Sequence, residues 1–287
     1  MQNRKNISEQ LMRGLFLASA CVCVLAVGVI CAFLFVNGLP FFAKYNPVDF
    51  LTGTQWAPLR GIFGILPMIV GSFYVTVLAV AIGAPIGILT AILMARFAPK
   101  PVVKVLKPAV ALLAGIPSVV YGFFGVMLLV PFSRELFGGS GKSALVASVL
   151  LSIMILPTII QTAEAAINAV PNSYYEGSLA LGATHESSVF RAVVPAARPG
   201  ILSGVVLGLG RAIGETTAII MVAGNNPRMP QGLLKGLRTL TVNVLMEMGY
   251  AADLHRESLI ATGVVLFIIV MSINFLFSFI NRRRVLQ

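Results

Sequence analysis

The chain of 287 residues is 57% hydrophobic and 11% charged, with a mean hydropathy of +0.92. A soluble domain carries about 25% charged residues, so this surface cannot face water on every side, and disorder, a disulfide-stapled secreted fold and a coiled coil are excluded with it. The net charge of +11 sits in small basic groups between long apolar runs, with no basic stripe interleaved with aromatics, which points to membrane topology and not to nucleic acid.

Runs free of Asp, Glu, Lys and Arg cover residues 14–43, 61–95, 108–133, 143–163 and 258–281, and a sixth, 199–227, is broken only by Arg211 and Glu215. A helix needs about 20 apolar residues to cross a bilayer core, so the expected fold is an all-α membrane protein with six transmembrane helices. The first run keeps its apolar character over 15–36 and is followed by Asn37-Gly38-Leu39-Pro40, with no small-residue cleavage site; it should persist as an anchor. Cys21, Cys23 and Cys31 all lie in it. Their C-x-C spacing lacks a nearby His, and one helix gives them no disulfide geometry, so they are expected to be buried packing residues. Pro67, near the start of the second run, implies that the residues before it lead into that helix.

Six crossings put both termini on one side. Lys and Arg number 12 on that side and 8 on the other, which favours cytoplasmic termini. Residues 1–60 then comprise a cytoplasmic segment, the first anchor and an external loop, and 61–287 form the main transmembrane domain. Two connections are long. In the cytoplasmic loop 171–198, Ser173 and Glu176 have capping-box spacing, Gly182 interrupts the helix, Thr184 can cap a second one running towards Arg191, and Pro195 and Pro199 should stop it. In the external loop 224–256, Leu233, Leu234, Leu237 and Leu240 surround Lys235 and Arg238 in an amphipathic stretch, either a surface helix or a docking surface. Residues 239–244 alternate with period two, leaving helix and strand both open there.

Arg211 and Glu215 are the two charges within the fifth span. Arg211 lies roughly 18 Å along a helix counted from Pro199, near mid-membrane at ~1.5 Å per residue. Four-residue spacing places both on one face, where they can pair. Charges there are costly and face a bundle interior or an aqueous route. The pair is either an internal brace or a site where a permeant oxyanion meets the planar fork of Arg211, with Glu215 steadying the guanidinium. Gly200, Gly204, Gly208 and Ala212 recur every four residues, a close-packing face.

Other features carry less. Gly141-Lys142-Ser143 resembles the end of a phosphate-binding loop, but Leu136 stands where the motif needs Gly. Glu164 reads as an interfacial residue and His185 as solvent-exposed. Neither a nucleophile–base pair nor a metal cluster is apparent, so catalysis is not expected.

Glu176-Gly177-Ser178, then Gly182, then Val194-Pro195 is similar to the EAA motif of ABC importer permeases, with Gly177 and Ser178 in place of its two alanines and Ala192 in place of its usual Ile. Over about residues 60–280 the chain resembles the PstC-type permease subunits of bacterial phosphate importers. The likeness rests on Gly115-Ile116-Pro117-Ser118, Ile155-Leu156-Pro157-Thr158, Arg211-Ala212-Ile213-Gly214-Glu215-Thr216, Ala223-Gly224-Asn225 and Arg238-Thr239-Leu240-Thr241. The resemblance implies the six-helix ABC permease fold in the bacterial inner membrane and a pore shared with a second, A-type permease subunit. It also implies a cytoplasmic ATPase dimer that binds ATP and Mg, so that this chain has no cofactor of its own, and an external phosphate-binding protein. Arg211 and Glu215 would serve the phosphate pathway by alternating access; Glu176, Gly182 and Pro195 would belong to the loop that docks on the ATPase. Two other readings fit the residues: a permease for sulfate or molybdate, and a self-contained secondary transporter.

Overall fold

A computed structural model describes residues 2–285, with the side chains of 1–11, 278 and 280–287 outside the description. The terminal basic clusters of the orientation count, Arg4 and Lys5 and Arg282 to Arg284, lie outside the described side chains. The principal helices are α1 (Gln2–Gly38), α2 (Leu66–Ile92), α3 (Lys100–Gly115), α4 (Ser118–Phe137) and α5 (Ala144–Asn168). They are followed by α6 (Asn172–Ala180), α7 (His185–Gly214), α8 (Thr217–Val222), α9 (Leu240–Glu247) and α10 (Asp253–Val285). Six helices are long and apolar enough to cross a membrane, and they fall on the six uncharged runs.

Helix α5 is the centre. Two-thirds of its apolar window is buried (67%), against 0% for α1, which fixes α5 as the post around which the others pack and α1 as a peripheral helix. Lipid tails supply no hydrophobic drive between helices, so close approach depends on small residues. Gly83 and Gly87 of α2 sit against Ile155 and Ile159 of α5, leaving no space for a Cβ without movement. On the other flank Gly200, Gly204 and Gly208 of α7 meet Ala166, Thr162 and Ile159. The four-residue stripe of small residues is therefore the α7–α5 seam.

Helix α1 packs along α10, where Phe35 meets Phe267 edge-on at 5.7 Å and Gly38 lies against Val264. Residues 12–30 of α1 are exposed. Cys21 and Cys23 are exposed and Cys31 is partly so, all as free thiols. The expectation of buried cysteines was wrong because it assumed that a membrane span has a protein neighbour on every side.

The third uncharged run is not one helix. α3 ends at Gly115, Ile116 is extended (φ −69°, ψ 125°), and α4 starts after Pro117. A proline ring disfavours the helical conformation of the residue before it, which explains the break. The Tyr121 hydroxyl donates to the Leu113 carbonyl at 2.8 Å and ties the two pieces together. Helix α2 begins as read, with Pro67 in its first turn, where no N–H is needed.

At the end of the bundle opposite the termini, residues 39–65 form a cap that the sequence did not announce. Two short helical turns, Phe41–Lys44 and Pro47–Thr52, precede an antiparallel hairpin of β1 (Trp56–Ala57) and β2 (Ile62–Phe63). Phe41, Phe50 and Phe63 are fully buried there with Met68, Leu240 and Ala261.

Candidate functional site

Arg211 stands in the last turn of α7, where a cation is favoured by the negative end of the helix dipole. It is exposed on the surface of the chain, on a face where Gly210 and Gly214 have open space around them. Its charge is close enough to the Tyr121 phenol of α4 for the two to interact electrostatically. The expected partnership with Glu215 is not formed: among the described residues, no ion pair joins them. The four-residue rule presumes an unbroken helix, and α7 stops at Gly214. Glu215 is extended (φ −68°, ψ 128°), and its Oε1 accepts the Ala218 N–H at 3.0 Å at the head of α8.

Several backbone groups at the break are hydrogen-bonded. Glu215 N–H donates to the Ala212 carbonyl (3.3 Å), Thr216 Oγ1 donates to the Gly214 carbonyl (3.1 Å), and Thr241 Oγ1 donates to the Glu215 carbonyl (3.1 Å). Helix ends leave such carbonyls without intrahelical partners. Here two of these three bonds come from within the discontinuous fifth span and one from a distant helix.

Beyond α8 the chain returns as an irregular loop, residues 223–239. The amphipathic stretch around Leu233 and Leu237 is neither a surface helix nor a strand. Its carbonyls instead cap α5: Ala144 N–H donates to Lys235 O (3.1 Å) and Leu145 N–H to Leu233 O (2.9 Å), while Ser143 N–H donates to Val222 O (3.1 Å). Leu237 is buried in the process. Ser143 is the N-cap of α5, so Gly141-Lys142-Ser143 is a turn and a cap. Residues 240–247 settle as helix α9, capped by Thr239.

Around α9 lies a charged network that sequence reasoning missed. The Glu247 carboxylate accepts from Arg238 Nη1 (2.6 Å) and Trp56 Nε1 (2.8 Å), and His255 Nε2 lies 2.9 Å from it. Arg238 Nη1 also donates to Asn243 Oδ1 (2.9 Å), and Arg238 Nε to the Asn225 carbonyl (3.1 Å). The Arg238 and Glu247 side chains are only 11% and 8% exposed, which makes this a buried pair. Tyr250 nearby has its phenol raised above the ordinary range, by burial first and then by the Glu247 carboxylate. Asn225 was visible only as a member of a motif string and Arg238 as a member of another and of the amphipathic stretch; Glu247 and His255 gave no signal, because their partners come from separate segments.

At the other end, α6 begins at Asn172 with Pro171 at its N-cap and no side-chain cap. The Ser173–Glu176 capping box is not formed, since the N-cap lies two residues earlier, at Pro171, and Ser173 falls within the first turn. Gly182 takes φ +84°, the left-handed turn that ends α6. Thr184 caps the next helix as read, accepting from Ser187 N–H at 3.3 Å. That helix does not stop at Pro195 or Pro199. A π turn at Val189–Val193 precedes Pro195, and the helix continues to Gly214. His185 is half-buried, with Nδ1 2.8 Å from the Tyr175 hydroxyl and its ring edge-on to Phe97 at 4.8 Å; it was expected in solvent. Glu164, expected at the interface, is buried and paired with Lys107 Nζ at 2.7 Å. Glu176 is exposed on the protruding loop, beside Tyr174 and the almost fully accessible Leu181 (91%).

Six crossings, a fifth span broken beside a charged residue, and a helical loop projecting from the bundle define a membrane-embedded transport subunit. The family model for the inner membrane component of binding-protein-dependent transport systems matches residues 83–285. The chain is 39% identical to the probable ABC transporter permease protein YqgH of Bacillus subtilis, over 99% of this chain and 95% of that one. It is 33% identical to the phosphate transport system permease protein PstC of Mesorhizobium japonicum, over 88% and 83%. The MetNI methionine ABC transporter has a chain of similar fold, with a TM-score of 0.63 at 20% identity over 80% and 99% of the two chains. The chain belongs to the binding-protein-dependent transport system inner membrane component family, with phosphate permeases of the PstC type among its relatives, and is a multi-pass inner membrane protein.

Proposed function

We propose that this chain is one of two permease subunits forming the membrane pathway of an ATP-driven importer of inorganic phosphate. In this reading Arg211 meets the anion, the loop 171–198 docks on a cytoplasmic ATPase dimer that holds ATP and Mg, and the 223–239 end faces an external phosphate-binding protein. An A-type permease covers the exposed Arg211 face. Glu215 acts by shaping the break rather than by pairing with Arg211, and Glu176, Gly182 and Pro195 form and present the loop.

One observation carries the reading. The capped start of α7 at the protruding loop and Arg211 are on the same helix, His185–Gly214. They are 26 residues apart, about 39 Å at ~1.5 Å per residue, so displacement of the loop is delivered along a single continuous helix to the residue that meets the anion. Arg suits phosphate because its planar fork donates two parallel hydrogen bonds to neighbouring oxygens. Alternating access follows when the ATPase dimer closes and carries the loop with it.

The test is Arg211→Gln in the complete importer reconstituted into vesicles. ATP-dependent uptake of radiolabelled phosphate should be abolished while the subunits still co-purify. Loss of assembly would make Arg211 a scaffold residue, and equal uptake by the variant would remove it from the pathway. Competition by excess sulfate or molybdate should leave wild-type phosphate uptake intact; strong inhibition would assign the importer to another oxyanion.

A further inference from the structure

Two sequence strings, Ala223-Gly224-Asn225 and Arg238-Thr239-Leu240-Thr241, have no part in the pathway as proposed. The structure places both in one closed ring of hydrogen bonds around the break that follows Arg211. Starting at Glu215, α8 runs to Ile220, whose carbonyl accepts from Asn225 Nδ2 at 2.7 Å. The Asn225 carbonyl accepts from Arg238 Nε, and Arg238 Nη1 donates to Asn243 Oδ1 on α9. Thr241, in the first turn of α9, returns to the Glu215 carbonyl at 3.1 Å. Asn225 holds a left-handed backbone (φ +53°) to make this turn, a conformation that Asn tolerates better than most residues.

The hydroxyl order within the ring is determined. Each hydroxyl has one proton to give. Thr241 gives its proton to Glu215 O, so the 3.1 Å contact with Thr239 is made by the Thr239 proton. Thr239 Oγ1 in turn accepts from Val242 N–H at 3.4 Å. Helix α9 is itself held to α2, because Leu240 N–H donates to the buried Ser72 Oγ at 2.9 Å. Its far end is fixed by Glu247, on which Arg238, Trp56 and His255 converge. The bond to Glu215 therefore comes from an anchored support. Two amide atoms of the ring, Asn225 Oδ1 and Asn243 Nδ2, are buried without a partner.

We infer that Thr241 is a positioning residue for the Arg211 site: its hydroxyl fixes the angle at which α7 ends, and Arg238 anchors the ring that holds Thr241 in place. This rests on the pathway role proposed for Arg211. Arg211 itself is in the last turn before the break, so a change in how the Glu215 carbonyl is held rotates the turn that aims the guanidinium. The ATPase-driven motion enters at the other end of α7 and does not need the ring. Loss of the Thr241 hydroxyl should therefore separate ATP hydrolysis from phosphate movement, whereas general damage to the fold would lower both together.

The experiment compares wild type, Thr241→Val and Thr241→Ser in the complete importer in vesicles, measuring inorganic phosphate moved per ATP hydrolysed. Thr241→Val keeps the β-branched shape and leaves the Thr239 N-cap in place to accept from Val242 N–H, although the Thr239 hydroxyl loses Thr241 Oγ1 as its acceptor. ATPase activity should stay within about twofold of wild type while phosphate per ATP falls about tenfold, equivalent to ~1.4 kcal/mol. Thr241→Ser, which restores the donor, should recover the ratio. An unchanged ratio in Thr241→Val, a Ser variant as poor as the Val variant, or parallel loss of both activities would each overturn the inference. If Thr241→Val does not assemble, Arg238→Lys serves instead: a single ammonium replaces the separate Nε and Nη1 donors that hold Asn225 O and Asn243 Oδ1, and the same drop in ratio is expected, with an unchanged ratio overturning the inference. Arg211→Gln run alongside separates the two failures. Abolished uptake in Arg211→Gln with a normal Thr241→Val sinks only the positioning role, whereas normal uptake in both sinks the pathway reading.

Discussion

Replacement of Glu247 by Ala tests whether the charged network opposite the termini holds that end of the molecule together. The carboxylate is 8% exposed and takes part in three polar contacts, with Arg238, Trp56 and His255. Its removal leaves the Arg238 guanidinium, 11% exposed, without its counter-charge. Breaking a buried pair by deleting one partner costs roughly 3–5 kcal/mol, mostly as the penalty of the charge left behind. A chain of this size shifts its thermal midpoint by about 2 °C per kcal/mol, so Glu247→Ala should lower the midpoint of the detergent-purified complex by roughly 6–10 °C. The internal control is Lys44→Ala. Lys44 Nζ lies 2.6 Å from Glu257, as short as the Arg238–Glu247 contact, but these side chains are 56% and 29% exposed. Screened pairs of that kind contribute about 0–1 kcal/mol, and the midpoint should move by no more than about 2 °C. Both variants are measured by the same thermal scan at one rate. Equal shifts would refute the reasoning, since distance alone would then be deciding the outcome and burial would count for nothing.

Other perturbations follow from the same geometry. Glu176→Lys should leave the complex in the membrane at normal abundance, because Glu176 is exposed and caps nothing, yet abolish phosphate uptake per complex; normal uptake would detach the 171–198 loop from energy coupling. Gly200→Leu should sharply reduce the recovery of folded protein, as its Cβ would run into Ala166 of α5, whereas Gly210→Ala, with nothing within 4 Å, should be recovered at wild-type yield; purification yields of the pair decide it. Lys107→Met leaves Glu164 buried without a partner, but Lys107 is 54% exposed, so the loss after solvent screening should be about 1 kcal/mol. Adding Glu164→Gln to Lys107→Met should recover the loss in the same thermal scan, and failure to do so would show that the pair is not what Lys107 supplies.

The spans were legible because lipid forbids charge over about 20 residues, and that prohibition is written directly into the uncharged runs. The small-residue stripe on α7 was legible for a related reason: helices in lipid associate through close packing, and Gly at every fourth position presents one flat face. Arg211 could be found because a charge within a span is rare. Its relation to Glu215 could not, since four-residue spacing predicts a pair only where the helix continues, and Gly214 with Thr216 marks its end instead. Ile116 before Pro117 carried a break signal of the same kind, hidden inside an uninterrupted apolar run. The Arg238–Glu247–His255–Trp56 network was illegible for a different reason. Its members come from the hairpin, the return loop, α9 and α10, and no local period brings those segments together.

These differences share a cause. An interrupted helix in a membrane must have its freed carbonyls and N–H groups satisfied by protein, since lipid offers no partners. Glu215, Thr216, Asn225, Arg238 and Thr241 look scattered in the sequence, and Ser72 more so, yet they are the donors and acceptors that the break after Arg211 and the return loop behind it require. The same logic accounts for the long first part of α7. There Pro195 and Pro199 do not break the helix: a π turn precedes Pro195, and the run from His185 to Gly214 stays continuous. Under the proposed function, loop displacement would travel along one continuous helix to Arg211, with a change of backbone direction just beyond it. Continuity up to Gly214 and discontinuity at Glu215 supply those two properties on one segment of chain.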